Sequence, residues 1–106
     1  MTKFMVKVSY TAEGTRGLLK EGGSSRRATV DKMVKGLGGS MEAFYYAFGD
    51  ADVFVVCDLP DSATAAALSL AINATGAVNA STIPLLSAGE MDQACKMSVA
   101  YRAPGA

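Results

Sequence analysis

Residues 40–58, with the sequence SMEAFYYAFGDADVFVVCD, decide the fold of this chain. Aromatic and β-branched residues dominate positions 40–48 and 51–58, and these residue types are enriched in β-strands. Gly49-Asp50 lies between the two runs and is a typical turn sequence. We therefore predict two antiparallel strands that are joined as a hairpin.

The predicted hairpin is apolar on both of its faces. Alternate residues of a strand point to opposite sides, so Val53, Val55 and Cys57 face away from Phe54 and Val56. The first strand divides in the same way into two groups: Met41, Ala43, Tyr45 and Ala47 on one face, and Phe44, Tyr46 and Phe48 on the other. An antiparallel sheet that meets water on one side normally has a polar face there.

The sequence on each side of the hairpin predicts one further strand and one helix. Residues 2–10 and 77–85 alternate as strands, and residues 24–37 and 62–75 have apolar side chains at helical spacing. The order β-α-β-β-α-β, with right-handed crossovers, gives a four-stranded antiparallel sheet with both helices on one face. The predicted fold class is therefore α+β, in the ferredoxin-like arrangement.

The C-terminal region predicts one additional helix. Ser87 and Glu90 have the spacing of a capping box, and the residues expected to face inward from the helix are Met91, Ala94, Cys95 and Ser98. We expect a single domain over residues 1–98 and a loose tail over residues 99–106.

The second apolar face predicts self-association. The two main helices cover only one face of the sheet, and each large apolar side chain left in water forgoes about 1.5–3 kcal/mol of burial energy. We therefore expect two copies to pack sheet against sheet as a dimeric α/β barrel. The first strand is mixed on its open face, so the expected interface has a dry part around Val53, Val55 or their neighbours and a more polar part near Lys7.

Composition excludes several classes of function. The 106 residues include no histidine, which excludes Ser-His-Asp and Cys-His catalysis and nearly every zinc site. The formal net charge is zero, which argues against nucleic acid and membrane surfaces as partners. Cys57 and Cys95 both lie in apolar segments and are predicted to be buried thiols of a cytoplasmic protein. We expect no metal and no cofactor.

A glycine-rich segment with flanking cations is the first candidate site. Residues 11–23 contain four glycines and predict a loop with a short helical turn at 15–21. A loop of this kind that runs into a helix suits an anion, and the cations available to it are Arg16, Lys20, Arg26 and Arg27. The alternative is a flexible loop that leads to a basic helix surface.

Two further groups of polar residues are candidate sites. Asp50 and Asp52 lie at the hairpin tip, where two carboxylates two residues apart could bind a ligand or a metal or raise each other's pKa. The alternatives are that each bonds to its own backbone or that Asp52 forms a salt bridge with a nearby basic residue. Lys7, Ser9 and Tyr45 lie on the open face of the sheet, with Asn79 or Ser81 close by as further polar groups. Tyr45 and Lys7 are the candidates for acid–base catalysis there, and the alternative is that Tyr45 packs in the interface while the Lys7 side chain extends to solvent.

Several stretches together resemble the GYD domain family. They are GLLKEGG at 17–23, the pair Arg26-Arg27, the hairpin segment 42–61 and the helix-to-strand run 65–78. Ala51 precedes Asp52 where the family signature has a tyrosine. The resemblance covers about residues 2–92, and it implies a ferredoxin-like fold in the group of dimeric α+β barrels. It does not imply an established reaction.

Three functions remain compatible with the sequence. The first is a homo-oligomeric module that binds a small anionic or aromatic metabolite, because the apolar face has few polar groups and no recognised catalytic set. The second is a cofactor-independent oxygenase or isomerase, and the third is a structural or assembly protein.

Overall fold

The computed structural model describes residues 1–106 as an α+β fold with eight elements. Its strands are β1 (Thr2–Tyr10), β2 (Ser40–Tyr46), β3 (Val53–Leu59) and β4 (Val78–Pro84), and its helices are α1 (Ala12–Glu21), α2 (Gly23–Gly36), α3 (Ser62–Ala74) and α4 (Ala88–Lys96). The strands form one antiparallel sheet in the order β2-β3-β1-β4. The predicted fold class is confirmed.

The buried core lies between this sheet and the helices on one of its faces. Alternate residues of β1 and β3 point toward the helices, as the sequence pattern predicts, and α2 and α3 pack against them. The core cluster consists of Phe4, Val6, Val34, Val53, Val55, Cys57, Leu59, Ala65 and Leu68. Only 11 of the 106 residues are buried, which is few for a domain of this length.

Residues 12–21 form a complete helix, so the prediction of a loop with a short turn is wrong. The Thr11 side chain caps α1 by accepting from the Gly14 backbone N–H. Gly14 lets this helix approach β4 closely, because a Cβ added there would lie 2.0 Å from the Ala77 carbonyl oxygen. Gly22, at φ 85°, separates α1 from α2. Gly14 and Gly22 therefore serve close packing and a helix break rather than a flexible loop.

A β-bulge in β2 changes the predicted face of one residue. The pairing between β2 and β3 shifts between Met41 and Ala43, so Met41 pairs with Cys57 and Ala43 pairs with Val56. Met41 consequently lies on the helix side and packs against the core. Val53 and Val55 are also buried there, so the apolar part of the open face is formed by their neighbours Phe54 and Val56.

Helix α4 begins as predicted but does not pack inward. Ser87 and Glu90 form the full capping box. Every residue from Leu86 onward is exposed, and Cys95, predicted to be buried, is an exposed thiol. The helix extends away from the body of the domain. With α4 included, the longest dimension of the chain is 55 Å. None of the four helices is both long and apolar enough to cross a lipid bilayer.

Candidate functional site: a cleft between the helices and the sheet

The helix layer leaves a gap over the middle of the sheet. Helix α2 packs over the edge strand β2, and α3 packs over the opposite edge strand β4. The central strands β1 and β3 therefore lie below the space between the two helices. This space is a cleft of about 540 Å³, which falls within the range of about 300–1,000 Å³ that ligand pockets occupy.

Apolar side chains form the floor and the walls of the cleft. The floor comes from the helix-facing residues of the central strands, including Val6, Val55 and Cys57. The walls come from all three neighbouring helices, with Leu18, Val30, Met33, Val34, Leu68 and Ile72 among them. Burial raises the pKa of the Cys57 thiol above its usual value, so this sulfur is held neutral and is a poor nucleophile.

Polar side chains are confined to the rim of the cleft. Glu13 and Glu21 come from α1, Arg26 and Thr29 from α2, and Thr75 from the end of α3. The Arg26 guanidinium lies 3.4 Å from the Glu21 carboxylate. The rim therefore offers hydroxyls and both positively and negatively charged groups around an apolar interior.

Two tyrosines stand where β1 and β2 approach the start of α2. Tyr10 lines the cleft, and its pKa is raised, first by burial and then by the neighbouring Tyr46. The Tyr46 hydroxyl donates to the Gly23 carbonyl oxygen at 2.9 Å. The ring of Tyr46 also packs edge-on against Phe44, with 5.2 Å between the ring centroids. These contacts fix the first turn of α2 over the sheet.

The four cations of the first candidate site are not all part of this cleft. Arg26 lines it, whereas Arg16, Lys20 and Arg27 are exposed side chains outside the lining. The N-terminus of α2 directly follows the C-terminus of α1, whose last residue is the acidic Glu21. The structure thus provides one of the four cations at the cleft, next to carboxylates.

The aspartates of the second candidate site hold the hairpin tip against β1. The Tyr10 backbone N–H donates to the Asp52 carboxylate at 2.7 Å. The Ser9 hydroxyl donates to the Asp50 carbonyl oxygen at 3.0 Å. Ala51, which stands between the two, is buried. Asp52 therefore satisfies a backbone donor at the end of a strand, which is a structural task.

The third candidate group lies on the open face of the sheet. Tyr45, Phe54, Lys7 and Ser81 stand side by side in one row across the four strands. Phe54 therefore lies between Lys7 and Tyr45. Neighbouring strands are about 4.8 Å apart, so Lys7 and Tyr45, which are two strands apart, are separated by about 10 Å. Ser9 stands in the next row, opposite Asn79. A catalytic role for Lys7 and Tyr45 stays a prediction.

The cleft as a site was not predicted from the sequence. Its lining residues, such as Val30 and Met33, have the helical spacing of ordinary core residues. That spacing identifies the apolar side of a helix but carries no information on the distance between two helices. Asn73, at the end of α3, has a structural role. Its side-chain amide donates to the Ala80 carbonyl oxygen and accepts from the Ala80 backbone N–H.

Comparison with protein families matches most of the chain to a known domain. A family model, the GYD domain, matches residues 4–95. The matched range contains β1 from Phe4 onward, the other three strands, the residues that line the cleft and most of α4. No curated protein and no solved structure matches the chain.

Proposed function

The chain belongs to the GYD domain family, and from that premise we propose that it is a small-molecule binding module whose ligand lies in the cleft between the helices and the sheet. The observation that carries this proposal is the size of the cleft together with its apolar lining. Close packing normally removes such a space from a protein interior, and an apolar space of this volume favours an organic ligand.

The rim supports a ligand that is mostly apolar. Arg26 is the one cation at the cleft, and Glu13 and Glu21 offset it. A multiply charged anion would find too little positive charge there. Of the two ligand classes predicted from the sequence, an aromatic or aliphatic molecule with one or two hydrogen-bonding groups is therefore the better match.

Binding of a neutral fluorescent probe tests this proposal. We expect N-phenyl-1-naphthylamine to bind with a saturable rise in fluorescence. Val30→Trp fills the cleft, and we expect it to weaken this binding at least tenfold, a change of about 1.4 kcal/mol. Lys32→Trp is the matched control, because Lys32 is exposed on the same helix and outside the cleft lining. Equal binding by both variants would show that the probe binds elsewhere.

We also propose that the working unit is a homodimer formed through the open sheet face. The centre of that face is apolar, with Met5, Phe54, Val56 and Ile83 in adjoining rows. Tyr45 is 71% exposed beside them. The small buried core of the single chain supports the same proposal, because a second copy would supply the burial that the monomer lacks.

A further inference from the structure

Helix α4 is amphipathic, yet nothing in its own chain covers its apolar side. At 100° per residue, Ala88, Met91, Ala94 and Cys95 fall on one side of the helix. The opposite side carries the polar residues Glu90, Asp92, Gln93 and Lys96. All nine residues are exposed, including Met91 at 49%. An amphipathic helix of this kind normally buries its apolar side.

This helix is an integral part of the domain rather than an appended tail. The family match extends to residue 95 and thus includes most of α4. The backbone N–H of Leu85 still donates to the Lys3 carbonyl oxygen at 2.9 Å, which leaves only Leu86 between the sheet and the cap at Ser87. The radius of gyration is 16.7 Å, against about 13 Å for a compact chain of this length.

An open groove lies beside the start of this helix, since Pro84 lines it. The groove lies between α3 and β4, is open to solvent with a volume of about 510 Å³, and is lined by Phe4, Ser62, Ala65, Ala66, Ser69, Leu70, Thr82 and Pro84. Its small side chains permit the close approach of another helix, and Leu70 is 72% exposed at its edge.

We propose that α4 of one protomer packs its apolar side into the α3–β4 groove of a second copy of the chain. Pro84 lines the groove and is also the last residue of β4 before α4. A two-fold axis beside Pro84 therefore sets each helix against the partner's groove, and both contacts form together. A second copy is favoured over an unrelated partner, because the helix and the groove belong to the same matched domain. The proposal rests on the homodimer proposed above.

Crosslinking of two distinguishable chains tests whether the two protomers exchange their α4 helices. One chain carries Leu70→Cys and Cys95→Ser, and the other is the unaltered, affinity-tagged chain with its exposed Cys95. Cys57 is fully buried and does not compete. We expect a short bis-maleimide to give the mixed covalent dimer several-fold more efficiently than with Lys32→Cys in place of Leu70→Cys, because Lys32 lies on the distant helix α2.

A second pair of variants separates specific docking from chance collision. We expect Met91→Glu to lower the crosslinking yield strongly and Gln93→Glu to leave it unchanged, since the same side chain is introduced on the apolar side and on the polar side of α4. Both positions are exposed, so neither variant should unfold the domain.

The remaining outcomes overturn the proposal in distinguishable ways. A crosslink within one chain that carries both Cys95 and Leu70→Cys would show that the helix folds into its own groove. A dimer in sedimentation that gives no mixed crosslink would overturn the helix exchange and leave the homodimer standing. A monomer in sedimentation would overturn both.

Discussion

The two faces of the sheet are built from the same strands but differ in how their apolar residues are arranged. On the helix side, β1 and β3 present a continuous apolar surface that is buried beneath the helices and forms the floor of the cleft. On the open side, the apolar centre is bounded by polar ends, with Lys3 paired to Glu42 and Asp58 at one of them. A uniform apolar surface under helices suits a small molecule, whereas a patch with a polar border suits another protein surface.

The largest effect should come from a charge on the helix side. Val55 is 3% exposed, so Val55→Asp buries a carboxylate with no partner. We expect the free energy of unfolding to fall by about 4 kcal/mol or more, enough to unfold much of the protein. Circular dichroism during urea denaturation measures this. A cooperative transition at an unchanged midpoint would contradict the assignment of this face to the core.

The same substitution one residue later should affect association instead. Val56→Asp places the carboxylate at the centre of the open face. We expect a folded monomer, with the dimer dissociation constant raised about 100-fold, which corresponds to about 2.7 kcal/mol. Sedimentation velocity over a range of concentrations measures the change. Thr2→Asp is a control at the exposed first residue of β1. An unaltered dimer in Val56→Asp would disprove the open-face interface.

A smaller effect should follow from a larger side chain at Gly14, where α1 lies close to the Ala77 carbonyl oxygen. Gly14→Ala forces α1 away from the Ala77 carbonyl oxygen, and we expect the stability to fall by about 1–3 kcal/mol. Because α1 contributes part of the rim, probe affinity should fall as well. Gly17→Ala is the matched control in the same helix, since a Cβ there meets no atom within 4 Å. Equal melting temperatures for both variants would contradict the close packing of α1.

The smallest effect should come from Lys3 on the open face. Hydrogen bonds to Glu42 and then Asp58 raise the Lys3 pKa above its usual 10.5. The folded pKa is therefore higher than the unfolded one, so the stabilisation is fully present below pH 10.5 and is lost as the pH rises through the folded pKa. The stability difference between the wild type and Lys3→Met should be small at pH 7, weaker in high salt and absent above the folded pKa. Urea denaturation at pH 7 and pH 11 measures it, and a difference that grows with pH would contradict the ion pair.

The fold could be predicted from the sequence because alternation and helical spacing report which side of each element is apolar. The same patterns could not reveal the bulge at Met41, since one inserted residue leaves no compositional trace. The glycines before α2 led to the prediction of a loop in place of α1, because glycine occurs both where elements pack closely and where the chain is flexible. The cleft was not predictable, because its volume depends on how far apart α2 and α3 lie. That separation follows from which strands each helix packs on.

Cys57 makes the interior of the cleft chemically addressable. It is the single cysteine that lines the cleft, it lies on the floor, and the side chain is fully buried. A thiol reagent can reach this sulfur only after the side chains that separate it from the open part of the cleft have moved aside. The rate of its modification therefore measures how often the floor of the cleft opens, and a molecule bound in the cleft lowers that rate according to the fraction of sites it occupies. Modification of Cys57 thus reports the local opening of the layer formed by the helices and the sheet.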